Sequence, residues 1–333
     1  MKKTIISVAV GMASFGAFAA SGVVAPAHDA VAQSIENVEI FGKLGVSYDD
    51  FDASQAASAD AGYNLDDKGI DYKRNTEIGL KTTADLSHDL QASAVVVGNF
   101  NNADEDFRLD KVEVGVKHEL TAIHFGKIDD RYDQATSQFD QFSEVFNGTD
   151  FERYNATGKV DGIAVSSSPF AGLGVAVQLG DAESGDLGDD VALTATYHFS
   201  GIDLAGAYRS VDKSVEAGAV QDAEAYKLGA GYAFEGFYAG LVYESAENFD
   251  KSELETLGLS ASYKFDALTV KAGYLTDEYK GVDRRKFDTD TLRFAAQYDL
   301  QENVELNAGY AKIDRDVAAL DEDLFTAGMI VRF

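Results

Sequence analysis

The sequence predicts a transmembrane antiparallel β-barrel of about 16 strands. Three observations support this prediction: an alternating C-terminal segment that ends in an aromatic residue, a two-residue apolar period that recurs along the chain, and a regular alternation of short turns with long polar connections. Successive side chains of a strand point to opposite faces, so the last nine residues form a strand with one apolar face. That face carries Phe325, Ala327, Met329, Val331 and Phe333.

The chain opens with the pattern of a secretory signal peptide. Two lysines precede an apolar run over residues 4–20, and small residues follow. Small-x-small sites permit cleavage after Ala19 or after Ala32, and we prefer Ala32 because the first strand pattern begins almost directly after it. An uncleaved N-terminal anchor is the alternative, which the glycines and serine within the run disfavour. We therefore predict a signal peptide over residues 1–32 and a barrel domain over residues 33–333.

Composition excludes several classes of protein. Outside the N-terminal run, no apolar stretch reaches the roughly 18 residues that a membrane helix requires. The chain has no cysteine, which rules out disulfides, thiol nucleophiles and cysteine–metal sites. The formal net charge of −29 makes nucleic acid and anionic lipid poor partners and favours cations.

Two-residue alternation continues from the first strand to the last. The first strand places these residues on one face: Val38, Ile40, Gly42, Leu44, Val46 and Tyr48. Later apolar faces end in Tyr or Phe, as the aromatic girdle of a membrane barrel requires. The opposite faces mix small and hydroxyl residues with isolated charges, which suits a water-filled lumen better than the surface of a soluble β-sandwich, the alternative fold.

The connections alternate between short and long. Seven short turns are predicted at residues 85–89, 119–121, 169–172, 200–203, 234–236, 265–267 and 300–303. Eight longer polar connections separate them, at residues 49–71, 101–107, 128–155, 180–190, 210–221, 246–252, 276–288 and 312–322. Such an arrangement joins sixteen strands and leaves both termini on the short-turn side. This is the topology of a closed bacterial barrel, with short turns in the periplasm and long loops outside.

Several segments resemble the general porins of Gram-negative bacteria. The run Glu36-Asn37-Val38-Glu39-Ile40-Phe41-Gly42-Lys43-Leu44 resembles the opening strand of that family. Glu77-Ile78-Gly79-Leu80-Lys81 resembles its second strand, and Ser168-Pro169-Phe170-Ala171-Gly172-Leu173 resembles the turn after its third loop. The aromatic C-terminal strand completes the match, and the order of these segments follows the family along the whole mature chain.

The resemblance implies a homotrimeric, sixteen-stranded diffusion channel whose long third loop folds into the lumen. In the family, acidic residues of this loop face a basic cluster on the barrel wall. The third connection, residues 128–155, is also the longest here, and its phenylalanines favour packing against a wall over the alternative of a solvated loop. The resemblance makes these acidic residues the candidate pore constriction: Asp133, Asp140, Glu144, Asp150 and Glu152.

The candidate pore wall departs from the family pattern. Lys43 and Lys81 are the expected wall cations, but Glu77 occupies a position where the family usually has Arg. Glu113 and Lys117 point inward if the valines of their strand face lipid. Further cations on inward faces are expected at ordinary solvated positions: Arg74 or its neighbour Lys73, Arg209, Lys227, Lys271 and Arg293.

These features predict a general diffusion porin of the outer membrane that prefers cations and needs no cofactor or metal. Expected partners are outer-membrane lipids, lipopolysaccharide, small hydrophilic solutes and ions. Phe333 is expected to close the barrel, and the resemblance implies that it also directs assembly. Three alternatives remain open from sequence: a sugar-specific channel, an adhesive barrel, and an outer-membrane enzyme, although none of the 5 histidines lies beside a recognisable nucleophile motif.

Overall fold

The computed structural model describes residues 38–53, 67–71, 76–87, 89–100, 107–146, 158–181, 187–215, 219–248, 251–281, 285–316 and 321–333. The predicted signal peptide, the candidate constriction residues Asp150 and Glu152, and the neighbouring cations Lys73 and Arg74 lie outside these ranges. The described residues form seventeen strand segments and one α-helix, α1 (Arg131–Ser137). No described helix combines the length and apolar character needed to cross a membrane.

The first eight strand segments flank the helix in sequence. They are β1 (Val38–Ala53), β2 (Asp67–Asp71), β3 (Glu77–Ser87), β4 (Leu90–Phe100), β5 (Phe107–His118), β6 (Thr121–Asp129), β7 (Lys159–Phe170) and β8 (Leu173–Asp181). The remaining nine run to the C-terminus as β9 (Leu187–Phe199), β10 (Ile202–Val215), β11 (Ala219–Phe234), β12 (Phe237–Glu247), β13 (Glu253–Phe265), β14 (Leu268–Lys280), β15 (Lys286–Gln301), β16 (Val304–Arg315) and β17 (Glu322–Arg332).

All strand segments belong to one closed antiparallel sheet. From β3 onward each pairs with the next strand in sequence, and β17 returns to pair with β1, with Lys43 opposite Arg332. The short β2 pairs with residues 47–51 of β1, and β3 pairs with residues 38–43 of the same strand. Since β2 and β3 lie end to end along β1, they form one barrel strand, which confirms the predicted total of sixteen.

The two faces of the sheet differ as the alternation predicts. Leucine, valine, tyrosine and phenylalanine side chains project outward and remain exposed along the barrel, from Val38 on β1 to Met329 on β17. The terminal Phe333 lies on this outer face with 53% of its surface exposed. Glycine, small polar and charged residues alternate with them and point inward, where many are buried. A closed sheet with an apolar exterior satisfies every strand edge inside a bilayer.

The short turns lie where the sequence places them. Several rely on a left-handed residue, including Asp89, Glu119, Ser200 and Asp266, each with positive φ. Most of the long connections are shorter than predicted, because strands continue into them: β10 ends at Val215 and β11 begins at Ala219. The connection between β6 and β7 is the exception, since it covers residues 130–158. Outside the membrane both faces of a hairpin contact water, so neither face needs to be apolar. The strands remain paired there, but their sequence lacks the apolar alternation from which strands are predicted.

Candidate functional site

Residues 130–146, which we call the lumen segment, follow β6 and lie against inward-facing residues of the barrel. At one end the Arg131 N–H donates to Gln178 on β8, and at the other Glu144 pairs with Arg332 on β17. Between these two ends it contacts Arg209 on β10, Gly273 on β14 and Arg293 on β15, all of which face inward. The segment therefore lies inside the barrel, along the wall that β8 to β17 form.

The start of the segment is fixed by a buried ion-pair triad. Asp130 caps α1 by accepting a 2.9 Å hydrogen bond from the Tyr132 N–H. Its other oxygen accepts a 2.8 Å bond from Arg209 on β10. Arg209 also makes a bidentate pair with Asp190 on β9, at 2.9 and 2.6 Å. All three charged side chains are at most 4% exposed, so little water competes for their hydrogen bonds. Hydrogen bonds between ionised groups are stronger than those between neutral groups, and the bidentate pair also fixes the orientation of the guanidinium.

A second cluster lies beneath α1. Lys227 on β11 approaches the Asp133 carboxylate at 3.6 Å and Glu244 on β12 at 3.9 Å, and its ammonium lies 4.1 Å from the centre of the Tyr132 ring. The Tyr132 hydroxyl donates a 2.9 Å bond to Glu244. Asp133 also accepts a 3.3 Å bond from the Gly158 N–H, which lies directly before β7. Both ends of the third connection thus meet at one buried carboxyl.

Burial changes the ionisation of the two loop aspartates. Desolvation raises the pKa of Asp133 from 3.8 to about 7, with Asp130 and Glu244 adding repulsion and Lys227 opposing it. Desolvation also raises the pKa of Asp130, although Arg209 favours its ionised form. Asp133 therefore exchanges its proton near neutral pH, unlike an ordinary solvated aspartate.

The middle of the segment is held by an ion pair of Asp140 and by the packing of its phenylalanines on glycines of the barrel wall. Asp140 accepts a 3.2 Å bond from Arg293 on β15, whose guanidinium lies 4.4 Å from the centre of the Phe142 ring. The phenylalanine side chains of the segment are almost fully buried against inward-facing glycines. Phe139 covers Gly229 and Gly231 of β11, Phe142 covers Gly273 of β14, and Phe146 covers Gly309 of β16.

The far end of the segment joins the seam of the barrel. Glu144 pairs with Arg332, which also contacts Glu305 of β16 at 3.1 Å. Lys43 of β1 lies 4.0 Å from the same Glu144 carboxylate. The candidate constriction residue Glu144 therefore connects the segment to both strands that close the sheet.

Most of the exposed side of the segment is polar and uncharged. Asp133 and Asp140 are directed into the wall, at 4% and 8% exposure. The exposed residues carry amides and hydroxyls, namely Gln134, Ser137, Gln138 and Ser143, whereas the Glu144 side chain is partly exposed. Asp133, Asp140 and Glu144 thus anchor the segment, and of these three only Glu144 also contacts the water.

The candidate wall residues lie on β1, β3 and β5. Lys43 stands opposite Glu77 on neighbouring strands, and Lys81 stands opposite Glu39, so cations and anions alternate there. Lys81 and Lys117 are exposed. Glu113 is 5% exposed and contacts Lys111 at 3.0 Å and His124 at 2.9 Å. Glu113 is therefore compensated, whereas Lys81 and Lys117 face solvent.

The expectation that Arg209, Lys227 and Arg293 are solvated is wrong. Each is at most 3% exposed, because the lumen segment covers it and supplies a carboxylate partner. Lys271 is half-buried near the same layer. Sequence reasoning also missed Asp190 and Glu244. The sequence does contain two signals for them. Both residues alternate with outward-facing apolar residues, and glycines on adjacent strands leave room for another chain segment to pack against the wall.

We predict that Gly240→Ala displaces the lumen segment. The added Cβ would lie 2.5 Å from the Phe139 carbonyl oxygen, a backbone atom that Ser260 already binds at 2.5 Å. Thermal unfolding of refolded protein should show a loss of about 1–3 kcal/mol, as overpacking typically causes. Gly206→Ala is the matched control, because its Cβ meets only Leu228 at 3.4 Å. Equal stability of the two variants would contradict the packing described here.

Comparison with known proteins agrees with this geometry. A family model described as Gram-negative porin matches residues 7–318. An anion-selective porin from Comamonas acidovorans has a similar structure, with a TM-score of 0.75, 16% identity, and coverage of 89% of this chain and 99% of that one. The trimer form of OmpT from Vibrio cholerae gives a TM-score of 0.71 at 14% identity, covering 89% and 99%.

A third solved structure, OmpF of Salmonella typhi in complex with daunomycin, gives a TM-score of 0.69 at 18% identity and covers 89% of this chain and 98% of that one. At such identities the similarity establishes the fold. No curated protein matches the chain.

Proposed function

This chain belongs to the Gram-negative porin family and forms a channel of the bacterial outer membrane, and we propose that it is a general diffusion porin with a preference for cations. The family and fold point to a channel rather than an enzyme. The observation that carries the proposal is the lumen segment, anchored by buried ion pairs at the start and middle of its path and by a partly exposed pair at its end. A fixed segment across an open barrel narrows the water-filled path without closing it.

The charges at the constriction support cation preference. Beneath α1, four carboxyl groups (Asp130, Asp133, Asp190 and Glu244) face two cations, Arg209 and Lys227. Among the ion pairs that hold the segment, Asp140–Arg293 is balanced, as are Glu144 and Glu305 with Arg332 and Lys43, so the excess negative charge lies at α1. A net negative site in a narrow pore of low-dielectric walls raises the local concentration of cations. The formal net charge of −29 acts in the same direction.

Packing of the inward aromatic residues favours a general pore over a sugar-specific one. Phe41 lies on Gly79, and the Tyr238 hydroxyl donates a 3.3 Å bond to the Gln138 carbonyl of the lumen segment. These rings are engaged by the protein, and they lie on β1 and β12, which are far apart in the sheet. They therefore do not form a continuous path of aromatic rings that could bind sugars along the pore.

We propose a homotrimer, by analogy with the OmpT trimer form, surrounded by lipid and lipopolysaccharide.

We expect a planar bilayer that separates two KCl concentrations to develop a zero-current potential with the dilute side positive. Cations that cross faster than anions carry positive charge toward the dilute side. Raising the ionic strength should weaken the preference, because the screening length is about 8 Å at physiological salt and shrinks further above it. A potential of the opposite sign would contradict the proposed selectivity.

A further inference from the structure

We propose that the lumen segment has a second role, as a clasp that holds the seam between β1 and β17 closed. Its Glu144 neutralises two cations, Lys43 and Arg332, which face each other across this seam. The seating of the segment inside the barrel and the closure of the sheet are therefore coupled. This role concerns the stability and assembly of the barrel, and it does not depend on which ions the channel prefers.

The seam differs from the other junctions in the described part of the sheet. Elsewhere, neighbouring barrel strands follow one another along the chain, with β2 and β3 counted as one strand. At the seam the partners are the first strand and the last, so no connection between consecutive strands holds them together. Bringing two distant segments together costs more conformational entropy than closing a short turn. The seam therefore gains more from an additional cross-link than the other junctions do.

The pairing register places two cations opposite each other at this junction. Gly42 and Phe333 exchange both backbone hydrogen bonds, at 2.9 and 3.0 Å, and the next pair along the seam is Lys43 with Arg332. Hydrogen-bonded and non-hydrogen-bonded pairs alternate in an antiparallel sheet, so Lys43 and Arg332 form a pair of the second kind, in which side chains lie closer together. Like charges directly opposite each other destabilise a sheet. Charge repulsion therefore opposes the native register of the seam until an anion reaches this pair.

Glu144 supplies that anion from the lumen segment. Its carboxylate forms an ion pair with Arg332 and lies 4.0 Å from the Lys43 ammonium. Two further carboxylates flank the cations on the strands to either side: Glu77 stands opposite Lys43 on β3, and Glu305 on β16 contacts Arg332 at 3.1 Å. Among the carboxylates of the described residues, however, only Glu144 forms ion pairs with both cations.

Packing places the end of the segment across the same two strands. Val145 belongs to a buried apolar cluster that includes Leu324 of β17. Together with Glu144 it also lines a small cavity whose other walls come from both seam strands, with Gly45 on β1 and Gly328 on β17. A slip of one residue along the seam would turn the inward residues of one strand toward lipid. The seated segment therefore favours the native register.

Residue-resolved hydrogen exchange of the refolded barrel in detergent micelles tests the clasp. Glu144→Gln leaves Lys43 and Arg332 without their shared anion, so the amides that pair β1 with β17 should exchange about fivefold faster. The amides that pair β4 with β5, where the segment makes no contact among the described residues, should keep their native rates. Adding Lys43→Met to this variant removes the repulsion and should restore most of the protection, which the loss of a simple hydrogen bond would not allow.

Salt provides a second signature of the same repulsion. In roughly 1 M KCl the effect of Glu144→Gln should shrink to less than about twofold, because the screening length is then about 3 Å. The side chains of Lys43, Arg332 and Glu144 are 23–39% exposed, so ions of the solvent reach them. An effect of unchanged size at high salt would contradict a clasp that acts through charge.

Glu278→Gln is the matched control. It makes the same change in an exposed ion pair with Lys286, between β14 and β15, and should keep native exchange throughout the barrel. Native exchange at the seam in Glu144→Gln, an equal increase between β4 and β5, or no recovery when Lys43→Met is added would each overturn the clasp. If Glu144→Gln does not refold, the yield of folded barrel becomes the measure. The double variant should then refold, and its equal failure would also overturn the clasp.

Discussion

Replacing Arg209 by methionine is expected to release the start of the lumen segment and raise single-channel conductance. Arg209 satisfies Asp130 and Asp190 at once, and both carboxylates are at most 4% exposed. Removing one partner of a buried ion pair typically costs about 3–5 kcal/mol, because the remaining charge is left without compensation. The cost is avoided if Asp130 moves into water, which withdraws α1 from the wall. Conductance in planar bilayers and thermal unfolding of the refolded chain measure both effects.

A matched change elsewhere separates this effect from a general loss of positive charge. Lys251→Met removes a cation from an exposed pair with Glu247 and Asp222 outside the lumen, where water screens the charges. We expect this control to keep native stability and conductance. If Arg209→Met also kept both, the triad with Asp130 and Asp190 would not anchor the segment.

Deleting Phe333 is expected to impair assembly severely. Its N–H donates to the Gly42 carbonyl at 3.0 Å, and its own carbonyl accepts from the Gly42 N–H at 2.9 Å, so one residue supplies two of the hydrogen bonds that close the sheet. Its ring also lies exposed on the outer face, where aromatic residues favour the membrane interface. The amount of barrel in the outer membrane should fall roughly thirtyfold, since each of the two lost bonds costs about 1 kcal/mol.

Channels that do insert without Phe333 should conduct normally, because the lumen segment contacts β17 through Arg332 and not through the terminal residue. Phe333→Tyr is the control, since it keeps the backbone bonds and an interfacial ring. Normal membrane levels of the deletion variant would contradict the assigned role in closure and assembly.

The barrel could be predicted from sequence because membrane strands follow a simple rule. Alternation from Val38 to Tyr48, and again from Phe325 to Phe333, places one face in lipid and one in the lumen, and the turn residues mark the ends. The structure places those faces as predicted. The sequence does not predict the short segment β2, because its residues Asp67–Asp71 lack an apolar alternation.

The partners of the lumen segment could not be predicted in the same way. Asp130 and Arg209 are 79 residues apart, and Asp140 and Arg293 are 153 residues apart. Pairing at such separations depends on how far around the barrel the segment reaches, which no local pattern encodes. A lone inward cation such as Lys227 has the same sequence signature whether water or a carboxylate faces it. The phenylalanines of the segment did indicate packing against a wall, and the glycines Gly229 and Gly273 show where.

The most direct test of the account replaces residues 132–145 with a short Gly-Ser linker and measures single-channel conductance in planar bilayers. A similar replacement of the outer connection at residues 248–252 serves as the control. We expect a several-fold higher conductance and a weaker cation preference for the first variant, because the constriction and the carboxyl groups of Asp133, Asp140 and Glu144 are gone, and native values for the second. Native conductance in the first variant would contradict the claim that this segment narrows the pore.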